Sequence, residues 1–244
     1  MYPQAFLQKP KERCLGVDIL SQLGVNNIHF PVETAELFLT LMEKETEATV
    51  LQSIAVGFSH IDLEGNESLQ SRICDKLALL KHHHDMDVRQ GVTMGLAGHN
   101  NPIAITTLIE MMEDSDEEVR NWATFAIGQQ IDDDNDTIRT ALKKRLNEEN
   151  SEIRGEALVG LAQRHDKDCL SYVFHEFEQD EISCLLFDAI NELKERPIAL
   201  YDKLLQLKSI ADGNSVGQND EHVKFDDYWY QRLLETIEIC KPSP

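Results

Sequence analysis

Three consecutive histidines, His82-His83-His84, followed at once by Asp85, are the first place to look for a metal. Adjacent residues on a turn point in different directions, so three such imidazoles do not converge on one tetrahedral ion. The stretch reads instead as a polar turn ahead of a helix, open only to adventitious zinc or nickel. Five cysteines stand at 14, 74, 169, 184 and 240, odd in number and with no Cys-x-x-Cys pair. That pattern fits a reduced, cytoplasmic setting rather than a disulfide framework. No glycine-rich phosphate loop is evident, and serine, cysteine and histidine fall into no nucleophilic grouping. No catalytic residue, metal ligand or cofactor is therefore assigned. The chemistry the chain does offer is that of contact. Trp122, Phe125 and Met94 alternate with the amides Gln90, Asn121 and Gln129, the residue types of a macromolecular binding surface.

These side chains are carried by a recurring unit whose clearest copy is Asp116–Gly128, DEEVRNWATFAIG. Val119, Ala123, Ala126 and Ile127 share one face of a 3.6-residue helix, and Asp116 is placed as its N-cap. Arg89 opens a second copy with Val92, Gly95 and Leu96. Arg154 opens another with Ala157, Gly160 and Leu161, and Arg13 another with Gly16, Ile19 and Leu20 before Leu23-Gly24. Leu51 and Ser183 open weaker copies. The opening positions 13, 51, 89, 120, 154 and 183 lie 38, 38, 31, 34 and 29 residues apart, intervals that suit two helices and two turns.

Partner helices are expected over Val32–Lys44, Ser68–Lys81, Pro102–Met112, Thr137–Asn147 and Lys167–Glu178. One hairpin alone cannot bury both of its apolar stripes, whereas stacking buries them between layers. The expected fold is thus all-α, a right-handed α-solenoid of about six hairpins running through the whole chain. Residues 1–30 form a half repeat, 31–195 the repeat core and 196–244 a C-terminal cap. In the cap, a helix over Ile198–Ile210 is followed by a long flexible loop, 211–224. The last helix, Phe225–Cys240, places Phe225, Trp229, Leu233 and Ile237 at four-residue steps as a lid. No apolar run approaches the ~20 residues that span a bilayer.

The DxxVR motif at Asp85–Arg89 and Asp116–Arg120, followed by small residues, resembles HEAT repeats, in particular the short type of the phycobilisome lyases. Val119–Gly128 is similar to a bacterial HEAT-repeat group with a V-R-x-W-A-T-F block. The resemblance covers residues 11–195 and implies a helical array of many possible functions. Deoxyhypusine hydroxylase, a HEAT-like enzyme, holds two irons with His-Glu pairs in its repeats. Here the corresponding positions read Gln90-Gly91, Asn121-Trp122 and Gly155-Glu156, and the sole His-Glu pair, His175-Glu176, is in the other helix of its hairpin. No di-iron site is expected.

In a HEAT array the second helix of each hairpin lines the concave face, and positions one, five and nine after the opening residue point into the groove. The middle copies supply Gln90, Met94 and Gly98; Asn121, Phe125 and Gln129; Gly155, Val159 and Gln163, with Trp122 at the shoulder. The flanking copies supply Gln52, Val56 and His60, then Cys184, Asp188 and Glu192. An exposed strip of Met94, Trp122, Phe125 and Val159 is expected at its centre. Arg89, Arg120 and Arg154 are read as a structural ladder along the stack, facing acids such as Asp85 and Asp116. A formal net charge of −21, with acids clustered at Glu113–Glu118, Asp132–Asp136 and Glu148–Glu152, opposes nucleic acid and favours a basic protein. The expected function is a non-catalytic scaffold or adaptor, one form of which is an antagonist that neutralises a toxin or nuclease. The alternative is a lyase-like or chaperone-lyase component acting on a chromophore or modified protein.

Overall fold

The computed structural model describes residues 9–22, 30–214 and 226–242, and among them every regular element is helical. In chain order these are α1 (Pro10–Gln22), α2 (Pro31–Met42), α3 (Ala48–Phe58), α4 (Glu67–Ala78), α5 (Met86–Leu96), α6 (Pro102–Met111) and α7 (Glu117–Phe125). A π-helical turn, Ala126–Gln130, continues α7. Then come α8 (Asp136–Arg145), α9 (Ser151–Gln163), α10 (Cys169–Glu176), α11 (Leu185–Glu192), α12 (Ile198–Asn214) and α13 (Asp227–Cys240). The expected partner helices α2, α4, α6, α8 and α10 lie within three residues of their predicted ends. No described helix is long and apolar enough to cross a membrane.

The chain forms two compact units, Met1–Asp133 and Asp134–Pro244. In the first, α1, α3, α5 and α7 lie side by side in one row and α2, α4 and α6 in a second. Phe38, Ile54, Phe58, Ile73, Leu77, Leu96 and Leu108 fill the space between the rows. In the second unit α9 is packed by α8, α10 and α11, while α13 closes on α11 and α12. Trp229, Leu233 and Ile237 are buried as the lid requires, and Trp229 stacks edge-on against Phe187, with ring centroids 5.0 Å apart. Its indole Nε1–H donates to the carbonyl of Ile182 at 3.0 Å. Phe225, expected in the same stripe, lies outside the described residues, as do Leu23-Gly24. Helix α12 runs past the expected end at Ile210 to Asn214. Asp212 holds that last turn, accepting from Lys208 at 2.6 Å and from the Tyr230 hydroxyl at 2.5 Å. The expected loop at 211–224 therefore starts later, and residues 215–224 of it lie outside the described residues.

Local chemistry explains where the helices begin. Side-chain oxygens of Asn66, Asp85, Asn101, Asp116, Asn135, Asn150 and Asp226 each accept an N–H from the first turn of the helix that follows. Asp116 accepts from both Glu118 and Val119, at 3.0 and 3.3 Å. Replacing a cap of this kind by alanine costs ~1 kcal/mol. Asp116→Ala is accordingly expected to lower the free energy of unfolding measured in urea by that amount, with Asp116→Asn retaining most of the stability.

Three arginines pair with acids other than Asp85 and Asp116. Arg89 makes a two-point bond to Asp114 (2.8 and 2.9 Å), Arg13 to Glu45 (2.7 and 2.9 Å), and Arg154 to Glu176 (3.0 and 3.1 Å). Asp85 and Asp116 instead act as helix caps, because each stands directly before its helix, where the orphan N–H groups are. Arg89 and Arg154, and with them Arg120, also secure the turn that leads into their own helix. Arg89 Nη1 donates to the carbonyls of His83 and His84, Arg120 Nη1 to those of Asp114 and Ser115, and Arg154 Nη1 to those of Glu148 and Glu149. Arg196 repeats the arrangement on Ile190 and Asn191. In each case the acceptors lie six and five residues upstream. One guanidinium thus satisfies a turn's carbonyls, and in Arg89 and Arg154 the same group also joins an acid of the following hairpin.

The acids in these turns are held ionised. For Asp166, burial works to raise the carboxyl, but bonds from Lys143, the Asp168 N–H and Arg139 outweigh it and leave the group below its ordinary 3.8. For Asp114, burial is outweighed in the same way by Arg89 and the Asp116 N–H. For Glu45, Arg13 and the N–H groups of Glu47 and Thr46 prevail over burial. A carboxyl depressed in the folded state adds stability that is complete above the ordinary carboxylate range and is lost as pH falls through the folded value. Thermal stability is therefore expected to hold from neutrality to about pH 5 and to fall steeply below about pH 4. Asp166→Asn should flatten that acid limb in a melting series.

Candidate interaction surface

In the first unit the row of α3, α5 and α7 turns its buried arcs inward. Val50, Leu51, Ile54 and Phe58 of α3, Val88, Val92 and Leu96 of α5, and Val119 and Ala123 of α7 are the inward residues. The opposite arcs carry the expected contact residues. One position after each opening residue stand the amides Gln52, Gln90 and Asn121, and five positions after stand Val56, Met94 and Phe125. All six are half-buried. Close approach of the helices keeps the two rows continuous. A Cβ at Gly95 would lie 2.4 Å from the Ala55 carbonyl oxygen, so the α5 backbone sits directly against α3 at that point.

Trp122 and Phe125 are half-buried and touch edge to face, with ring centroids 5.8 Å apart and planes at 90°. Asn121 Oδ1 is shielded from solvent and accepts no hydrogen bond. A shielded acceptor without a donor is costly, on the order of 1–3 kcal/mol. The π-turn after Phe125 carries an Ile131 N–H to Ala126 C=O bond of 3.1 Å. It widens the last turn of the unit, so Gln129 departs from the strict 3.6-residue spacing that placed it, although it remains half-buried. Gln52 and Val56 thus stand on α3, Gln90 and Met94 on α5, and Asn121, Trp122 and Phe125 on α7.

Val159 does not belong to this strip. It is 2% exposed, and its helix α9 is buried on almost every side. The cause is the close seating of α11. A Cβ at Gly155 would lie 2.7 Å from Leu185 Cβ, so α11 covers the arc on which Val159 was expected to be open. Gln163, at the end of α9, is exposed. Of the later positions, Cys184 and Asp188 are half-buried, and Asp188 bonds Arg232.

The histidine turn behaves as a polar turn. His83 Nδ1 accepts the Asp85 N–H at 3.1 Å, and the His83 and His84 rings stack at 4.3 Å. Together with Lys81, Arg89 and Asp114 they line a surface cavity of about 420 Å³. Among the described residues no three metal-capable groups are placed to share an ion. The cysteines are unpaired, and burial pushes the thiols of Cys74 and Cys169 up to about 11 and about 12, beyond the range of reactive thiols.

Comparison with known proteins agrees with this architecture. Protein YibA of Escherichia coli K12, and its counterpart in strain O157:H7, are 29% identical over 160 residues, 66% of this chain. The chain spans 57% of the length of these relatives. The crystal structure of E. coli YibA superposes with a TM-score of 0.61 at 20% identity, over 96% of this chain and 78% of the other. A designed armadillo repeat protein superposes at 0.50 and 15% identity, over 98% and 97% of the two chains. Residues 75–162 match the HEAT repeats family, and the chain as a whole has the all-helical fold of HEAT- and armadillo-like repeat solenoids.

Proposed function

We propose that this protein is a non-catalytic, cytoplasmic scaffold or adaptor that holds a basic protein against the α5–α7 surface. The observation that carries the reading is the half-exposed, edge-to-face Trp122–Phe125 pair on α7. Aromatic anchors set among polar side chains are the usual centre of a protein interface. Met94 extends the apolar patch, and Gln90 and Gln129 add hydrogen-bonding capacity at its edge. The formal net charge of −21 supports a basic partner, steered to the surface at a rate that falls with ionic strength. An antagonist that occludes the working face of a basic toxin or nuclease is one form this function takes.

The test is affinity capture from the host's lysate with wild type, Phe125→Asp and Trp122→Ala, at low and high salt. Both variants are expected to keep their circular dichroism and melting temperature, to lose at least ten-fold in capture, and to release basic proteins. A collapse of stability in Phe125→Asp would assign that ring to the core instead. A captured set dominated by acidic proteins would end the steering argument.

A further inference from the structure

We infer that two copies of this chain associate through the outward arc of α1, the two helices running antiparallel about a two-fold axis between Cys14 and Leu15.

Helices α2 and α3 pack on the inner side of α1, where Gly16, Val17 and Ser21 are buried. The opposite arc is open: Leu15 is 59% exposed and Ile19 38%. Pro10, Lys11, Cys14, Leu15 and Asp18 line a surface groove there of about 670 Å³. An apolar arc of this kind on a helix surface is a place for another surface to settle.

Charge selects the occupant. Lys9 pairs with Glu12 at 3.7 Å and Arg13 with Glu45 at 2.7 Å, whereas the exposed Lys11 and Asp18 make no ion pair among the described residues. These two stand seven residues apart, so they share one side of the helix about 10.5 Å apart along its axis, with Cys14 and Leu15 midway. Turning a second α1 by a half rotation about that midpoint sets Lys11 opposite Asp18 of the second copy. The same rotation sets Cys14 opposite Leu15 and Pro10 opposite Ile19, and every pair is formed twice. Read from either end, the arc meets its own complement, which is what a two-fold contact requires. The charge of the whole chain points to the same place. At a formal net charge of −21 one copy repels another over most of its surface, but residues 9–22 hold three cations and two acids. The copies therefore meet where that repulsion is weakest.

Sedimentation equilibrium of the full chain is the test. A single pair of helices is a small interface, so wild type is expected to approach a two-chain mass only as its concentration rises to about 100 µM. Leu15→Glu should remain monomeric there with unchanged circular dichroism. Lys11→Asp and Asp18→Lys, each alone, set like charges opposite one another twice and should weaken association at least ten-fold. Mixed in equal amounts, the two variants regain both opposite-charge pairs and should form a mixed dimer as tight as wild type. A wild type that stays monomeric overturns the inference, and a fall in melting temperature in Leu15→Glu would then assign the arc to the chain's own packing. Dimerisation indifferent to Leu15→Glu overturns it too, as does a mixture that associates no more tightly than either variant alone.

Discussion

Arg154→Ala is expected to cost about 3–5 kcal/mol of stability, the range for removing one member of a buried ion pair. Arg154 is 4% exposed and Glu176 5%, and the guanidinium is the carboxylate's partner at 3.0–3.1 Å. Alanine would leave that carboxylate buried and unpaired. It would also withdraw the donor from the carbonyls of Glu148, Glu149 and Glu181. Because folded proteins are stable by only about 5–15 kcal/mol in total, the loss should be visible as a large fall in urea midpoint by circular dichroism. Arg154→Met combined with Glu176→Leu removes both charges together and should recover much of the loss, since an apolar pair of similar volume avoids the desolvation term. Arg154→Lys should behave much more like alanine than like arginine, because an ammonium cannot reach carboxylate and turn carbonyls at once. A double variant as unstable as Arg154→Ala would show that the turn carbonyls, not the ion pair, dominate.

Gly95→Ala should destabilise by about 1–3 kcal/mol, although alanine is the better helix former by roughly 1 kcal/mol. The added methyl would stand 2.4 Å from the Ala55 carbonyl oxygen and 2.9 Å from Leu77 Cδ1. The first of these is backbone, so relief requires moving α5 away from α3 rather than turning a side chain. Gly213, near the end of α12, has no atom within 4 Å of the corresponding position. Gly213→Ala is therefore expected to be neutral or stabilising by a few tenths of a kcal/mol. Thermal melts of the two variants side by side separate contact from propensity. A Gly95→Ala protein that melts at or above wild type would show that the two helices can part without cost.

The contrast between α7 and α9 shows how far residue types reach. Both helices carry the same opening arginine and small apolar positions, and the same counting places Phe125 and Val159 on open arcs. Phe125 is half-buried, whereas Val159 is covered. The difference lies at Gly155 of α9, where Leu185 of α11 fits against bare backbone. Gly155 was visible as a glycine, but whether it marks an open groove or a close neighbour depends on the helix that arrives there. The orphaned acceptor of Asn121 was equally out of reach, because an unmet hydrogen bond is a statement about surroundings. The ladder acids carried a usable signal: Asp114 stands two residues before the cap Asp116 and bonds its N–H at 2.8 Å, as Asp166 does for Asp168 at 3.1 Å.

What the residue order determined alone is everything that closes within a turn or two of chain. This covers the helix start at Asp116 and the apolar arcs of the helices. These signals operate over three to seven residues, where covalent geometry leaves few alternatives. Tertiary structure decided the pairings between layers: Arg89 with Asp114 rather than Asp116, Arg154 with Glu176, Val159 beneath α11, and Asn121 without a donor. Those outcomes depend on the angle and separation at which successive hairpins settle. That geometry is set by the sum of many contacts, so no single motif encodes it.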